Sequence, residues 1–108
     1  MKFRVFLTDD AVGDLEQLHK YLKAHDGPGR TEHVLDKIAD AILGLEELPE
    51  RGPHPPELAA LGIQEYRELF FKPYRITYRV QKKKVFVYLI ADGRRDMQDL
   101  LSRRLLEA

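Results

Sequence analysis

The 108-residue sequence contains no cysteine, no tryptophan and a single serine. Without cysteine there is no disulfide, no thiol nucleophile and no cysteine-held zinc or iron–sulfur centre. The one serine, Ser102, stands in a charged stretch near the C-terminal end, which argues against a serine hydrolase. The four histidines, His19, His25, His33 and His54, show no HExxH or similar ligand spacing, so neither a metal nor a cofactor is expected. No apolar run approaches the roughly 20 residues that a membrane helix needs. The opening Met1-Lys2-Phe3-Arg4-Val5 lacks the apolar core of a signal peptide, so the expectation is a cytoplasmic protein with no membrane contact. What is present is 44% apolar and 33% charged residues, a charged share above that of ordinary globular chains. The length predicts a single domain over 1–108, large enough to hold a core without staples.

The net charge is zero but unevenly spread. Residues 1–62 carry seven Lys and Arg against twelve Asp and Glu, a net of −5. Residues 63–108 carry eleven against six, a net of +5. A chain built to sit on bulk nucleic acid is usually basic overall, because neutralising phosphates supplies the affinity. The asymmetry favours a local basic face and an acidic partner segment.

Periodicity orders the elements. Phe3, Val5 and Leu7 alternate as a short strand. Thr8-Asp9-Asp10 supplies a cap oxygen and first-turn negative charge for a helix with Val12, Leu15, Leu18 and Leu22 on one side. Asp26-Gly27-Pro28-Gly29 reads as a breaker, after which Thr31 caps a second helix with the apolar seam Leu35, Ile38, Ile42 and Leu45. The two helices form an antiparallel hairpin. Four prolines between Pro49 and Pro56 mark a crossover loop, followed by one turn over 57–62. The period then becomes two. Strands are predicted over 64–71, 74–81 and 84–91, with Lys72-Pro73 and Lys82-Lys83 at the turns. The run Val85 to Ala91 is apolar on both sides and reads as the central strand, carrying the hairpin through Val85, Val87 and Leu89 or through the opposite face. A short charged segment, Arg94 to Glu107, closes the chain. The order is β-α-α-β-β-β-α, a fold of the α+β class with the helical hairpin packed on an antiparallel sheet.

The residues with chemical content are cationic. Arg75 and Arg79 share one face of the second meander strand, and Arg67 on the neighbouring strand joins them if the register allows. Arg94 and Arg95 follow the central strand. Guanidinium forks converging on the sheet face away from the helices suit phosphate or carboxylate. Three readings stay open: holding RNA phosphate, docking an acidic protein, or internal pairing with Glu65, Glu68, Asp92 and Asp96. Lys82-Lys83-Lys84 reads as a solvated turn. Acid–base catalysis would need a titratable group in this face, yet no histidine follows His54. Tyr66, Tyr74, Tyr78 and Tyr88 enter only by elimination, and alternation turns Tyr74 and Tyr78 towards the core. The pairs Asp10/Asp14 and Asp36/Asp40 read as solubilising charge on outer helix faces.

At these residues the sequence resembles the RelE/ParE superfamily of toxins from type II toxin–antitoxin systems, with the ParE-like branch favoured. The resemblance rests on Tyr66-Arg67-Glu68-Leu69, on Pro73-Tyr74-Arg75-Ile76-Thr77-Tyr78-Arg79-Val80, and on Val87 to Ala91 followed by Asp92-Gly93-Arg94-Arg95-Asp96. It implies one toxin-like domain over nearly the whole chain. RelE-like members cut messenger RNA in the ribosomal A site with a basic pocket and a tyrosine in the last helix. ParE-like members poison DNA gyrase and lack that nuclease set. Arg75 and Arg95 match two cationic positions of the nuclease pattern, and Arg67 stands in for one lysine. The next lysine position falls on Glu68 or Leu69, and the closing tyrosine position falls near Leu101. The resemblance therefore implies a gyrase inhibitor rather than an enzyme, acting in plasmid stabilisation and neutralised by a cognate antitoxin in a heteromeric complex, with operator DNA reached only through the antitoxin. Arg75, Arg79, Arg94 and Arg95 are the expected partner-binding residues. A ribosome-dependent endonuclease using Arg67, Arg75 and Arg95, and an inactive interaction module, are the alternatives.

Overall fold

A computed structural model describes residues 2–107. Strand β1 (Arg4–Leu7) leads into helices α1 (Asp9–His25) and α2 (Gly27–Leu43). A 3₁₀ turn (Gly44–Glu46) and the proline loop follow, then the one-turn helix α3 (Pro56–Ala59). The meander β2 (Tyr66–Phe71), β3 (Tyr74–Gln81) and β4 (Lys84–Asp92) ends in α4 (Met97–Leu101) and a π-helical turn (Ser102–Leu106). The α+β order expected from periodicity is the observed one. The sheet runs β1-β4-β3-β2, antiparallel within the meander, and β1 joins β4 in parallel, so β4 is central.

Thr8 caps α1, its Oγ1 accepting from the Ala11 N–H at 3.1 Å, with Asp9 and Asp10 in the first turn. The hairpin loop is tighter than the sequence suggested. Asp26 alone separates the two helices, and α2 starts at Gly27 rather than at Thr31. Gly27 takes φ +81°, which reverses the chain, and Pro28 then sits in the first helical turn, where its missing N–H costs nothing. Thr31 lies inside the helix and donates to the Gly27 carbonyl at 2.7 Å.

The buried seam of α2 is Thr31, Val34, Ile38 and Ile42, continued by Leu45. Leu35, expected in that seam, lies beside it. The seam packs with Ala11 and Leu22 of α1 onto Val85, Val87, Ile76 and Tyr78 of the sheet. Tyr74 and Tyr78 are core residues, as alternation predicts.

A β-bulge divides β4. Thr77 stands opposite Leu89 and Tyr78 opposite Val87, so Tyr88 is an extra residue. Val85 and Val87 therefore face the hairpin while Leu89 turns to the other face, where a second core of Leu58, Tyr66, Ala91, Met97 and Leu101 forms. The expectation that Val85, Val87 and Leu89 share one face fails at this bulge. The second face is not open along its length: α3 and α4 cover the end nearest Asp92.

Candidate functional site

The expected arginine cluster does not assemble. Arg75 lies under α3 with its side chain 12% exposed. Its Nη1 and Nη2 donate to Glu57 at 2.9 and 2.7 Å, and its Nε donates to Glu68 Oε1 at 2.8 Å. Glu68 is almost wholly buried. The pairing is thus internal, with Glu57 in place of Glu65, Asp92 and Asp96. Sequence reasoning missed Glu57 because the turn that carries it folds back over the sheet. The two carboxylates are held differently. Hydrogen bonding from Arg75 holds Glu57 below the ordinary carboxylate range, while burial pushes Glu68 above it. The two glutamates push the Arg75 guanidinium upward, so it stays a cation.

Arg67 stands opposite Tyr78 and therefore shares the hairpin face, not the face of Arg75 and Arg79. It donates to the Gly52 carbonyl at 2.8 Å, while the Gly52 N–H donates to Tyr78 Oη at 3.2 Å. Only glycine fits there, because an added Cβ would overlap the Glu68 carbonyl oxygen and crowd Tyr78 Oη. These bonds, with Glu68 N–H to the Pro53 carbonyl at 2.9 Å, seal the outer edge of β2 with the proline loop.

Arg79 sits far along β3 with its guanidinium carbon 5.8 Å from the Tyr66 ring centroid. Arg94 clasps Asp92, its Nη2 2.5 Å from Oδ2, and that bond holds Asp92 below its usual range. Arg95 is exposed and lines a cavity of 360 Å³ bounded by Asp14, Leu18, Tyr21, Tyr74 and Ile90. That cavity lies where β4 outruns β1, whose last paired residue is Leu7 opposite Val87. Side chains serve the open edge there. Asp14 Oδ2 accepts from the Ile90 N–H at 2.9 Å, and Arg104 donates to the Tyr88 carbonyl at 2.7 Å. Arg104 also grips both Asp14 oxygens, at 2.9 and 3.0 Å. Asp14 is thus no solubilising charge, and the Arg104 contact spans 90 positions, which no local pattern reveals.

A second cavity, of 520 Å³, runs between α1 and α2 and is lined by Val12, Leu15, Leu35, Ile42 and Leu43 among others. Val12 and Leu43 are 43% and 57% exposed. Burial pushes the phenols of Tyr74 and Tyr78 above their ordinary value, so both stay protonated near neutrality. Leu101 is fully buried. Among the described residues no group of three or more His, Asp or Glu is placed to hold a metal ion, and no helix is long and apolar enough to cross a membrane.

A sheet sealed at β2, a two-helix hairpin on one face and a charged closing turn complete the α+β fold, and the chain is a toxin of the RelE/ParE superfamily by its family match. The family described as ParE toxin of type II toxin–antitoxin systems matches residues 5–97, and the chain belongs to it. Among solved structures, a chain of the chromosomal ParDE system from P. aeruginosa aligns with TM-score 0.70 at 18% identity, covering 84% of this chain and 96% of that one. A chain of the RelBE2 toxin–antitoxin complex from Mycobacterium tuberculosis aligns with TM-score 0.61 at 20% identity, covering 85% and 92%. No curated protein matches the sequence.

Proposed function

We propose that this chain is a protein-binding inhibitor of DNA gyrase, held inactive by a cognate antitoxin. The observation that carries the choice within the superfamily is Arg75. It matches a phosphate-holding position of the nuclease pattern, but its donors are occupied by Glu57 and Glu68. An arginine fixed between two carboxylates presents little positive charge to a scissile phosphate. The hydrogen-bond partners of its side chain are two carboxylates, with no histidine or tyrosine among them to move a proton. Membership of the ParE toxin family supports the same reading.

The antitoxin has two places to dock. The hairpin groove takes an amphipathic helix, because its walls are apolar and carry Val12 and Leu43 at the rim. The cavity beside β4 beyond Leu7, where Asp14 and Arg104 already bond the Ile90 and Tyr88 backbone, takes side chains of the antitoxin, with Arg95 exposed there for an acidic residue. Both solved neighbours come from toxin–antitoxin systems, which supports a heteromeric complex. Of the four arginines expected at the interface, Arg95 retains that role here. Arg75 and Arg94 are paired within the chain, and Arg79 lies on another part of the sheet.

Controlled expression in bacterial cells tests the target. Induction of the DNA-damage response with translation intact is expected. An immediate block of translation without DNA damage would favour the ribosome-dependent endonuclease.

A further inference from the structure

At the end of the sheet away from α3 and α4, a row crosses all four strands and runs into the second core at Tyr66, which is buried. Phe6 of β1 stands opposite Phe86 of β4, Phe86 opposite Arg79 of β3, and Arg79 opposite Tyr66 of β2. Directly opposed residues project from the same face, so the four side chains form one ladder. The Phe6 and Phe86 rings stack with centroids 5.5 Å apart and planes 22° apart. Arg4 lies 5.2 Å from the Phe6 centroid, and Arg79 lies 5.8 Å from that of Tyr66. Lys84, opposite Arg4, is exposed in the adjacent row. Among the described residues, Arg4, Arg79 and Lys84 make no salt bridge. The Arg4 and Arg79 charges are held over rings instead of carboxylates, and the Lys84 ammonium is exposed, so none of the three is neutralised by a carboxylate.

We propose that this half of the sheet binds a single-stranded polynucleotide, with bases stacking on Phe6 and Phe86 and phosphates held by Arg4, Arg79 and Lys84. Three features favour this occupant over an acidic peptide. The surface is a strand ladder, and neither cavity described above opens onto it to seat a peptide's apolar anchors. Phenyl rings edged by arginine and lysine are the combination that accepts bases of any sequence. Single strands expose base faces to such rings, whereas duplexes hide them in the stack. The proposal is independent of the gyrase reading, since the ladder shares no residue with the groove or the cavity beside β4. It also accounts for Arg79 and Lys84, which the docking sites leave unused.

Fluorescence anisotropy of the full chain with labelled 12-nucleotide oligo-dT, oligo-rU and a 12-base-pair duplex tests it. The single strands should bind at least tenfold tighter than the duplex, and the ratio of the two strands shows whether DNA or RNA is preferred. Phe86→Leu keeps an apolar body but removes the ring, and should weaken binding by about tenfold or more. Lys84→Gln, at an exposed position, should lower the dependence of log Kd on log salt by about 0.7. Arg94→Gln, remote from the ladder, should change neither. Should Phe86→Leu fail to fold, Phe6→Leu and Lys84→Gln carry the same test. Absence of binding at low salt, equal affinity for the duplex, or an equal loss with Arg94→Gln would overturn the proposal.

Discussion

Arg75 reaches diagonally across β2 and β3 to Glu68, its Nε 2.8 Å from Oε1, and both side chains are roofed by α3. Glu57, on α3, closes the cluster from above. One cation thus serves two carboxylates, and burial of the second leaves its ionisation only partly compensated. Truncating the cation exposes that imbalance. Arg75→Ala should cost about 3–5 kcal/mol in chemical denaturation, because a buried glutamate loses its counter-charge. The double change Arg75→Met with Glu68→Met should recover most of the loss, since well-packed apolar residues replace buried ion pairs at little cost.

The same cluster gives stability a pH dependence of two signs. The Glu57 carboxyl lies below its ordinary 4.5 in the folded chain, so its contribution is complete above 4.5 and is lost as pH falls through the lowered value. Glu68 lies above 4.5 when folded. Its unfolded form releases the proton first, so stability is lost as pH rises from 4.5 through the raised value. Glu68→Gln should therefore gain stability relative to the parent chain as pH climbs from 4 to 7. Urea midpoints at several pH values measure it. A relative stability that falls over that range would show that Glu68 ionises easily where it is.

The hairpin separates residues that hold the fold from residues that face a partner. Ile38 is fully buried in the seam, and Ile38→Ala should cost about 2–5 kcal/mol. Leu35 lies one position from Val34 and lines the groove. Leu35→Ala should cost less than half as much stability, while weakening capture of the antitoxin. Thermal melts paired with titration of the complex distinguish the two effects.

Gly52→Ala should destabilise the chain by more than Gly13→Ala. At Gly52 the new methyl meets the Glu68 backbone and the Tyr78 hydroxyl, whereas at Gly13 nothing lies within 4 Å. Comparable melting temperatures for the two variants would show that the proline loop can withdraw from β2 freely.

Much of the fold was legible because its elements are local. Tyr74–Gln81 alternates without interruption, and its strand boundaries match the pattern residue for residue. The central place of β4 followed from its being apolar on both sides. Three features were not legible. The bulge at Tyr88 breaks a period of two without leaving a glycine or proline to mark it. The proline-rich segment looked like plain crossover, yet α3 brings Glu57 onto Arg75. The cationic face failed for the same reason: alternation says which side an arginine leaves the sheet, not what later folds over it. The condition set for Arg67 resolves against the shared face: the two-residue turn at Lys72-Pro73 pairs Phe71 with Tyr74, and so Arg67 with Tyr78 on the hairpin side.

Purified gyrase acting on supercoiled plasmid tests the central claim most directly. With the chain and ATP present, detergent and protease treatment should release linear DNA, and adding the cognate antitoxin beforehand should prevent it. Codon-specific cleavage of messenger RNA on translating ribosomes, abolished by Arg75→Ala in a variant that still folds, with no linear DNA from gyrase, would contradict the account.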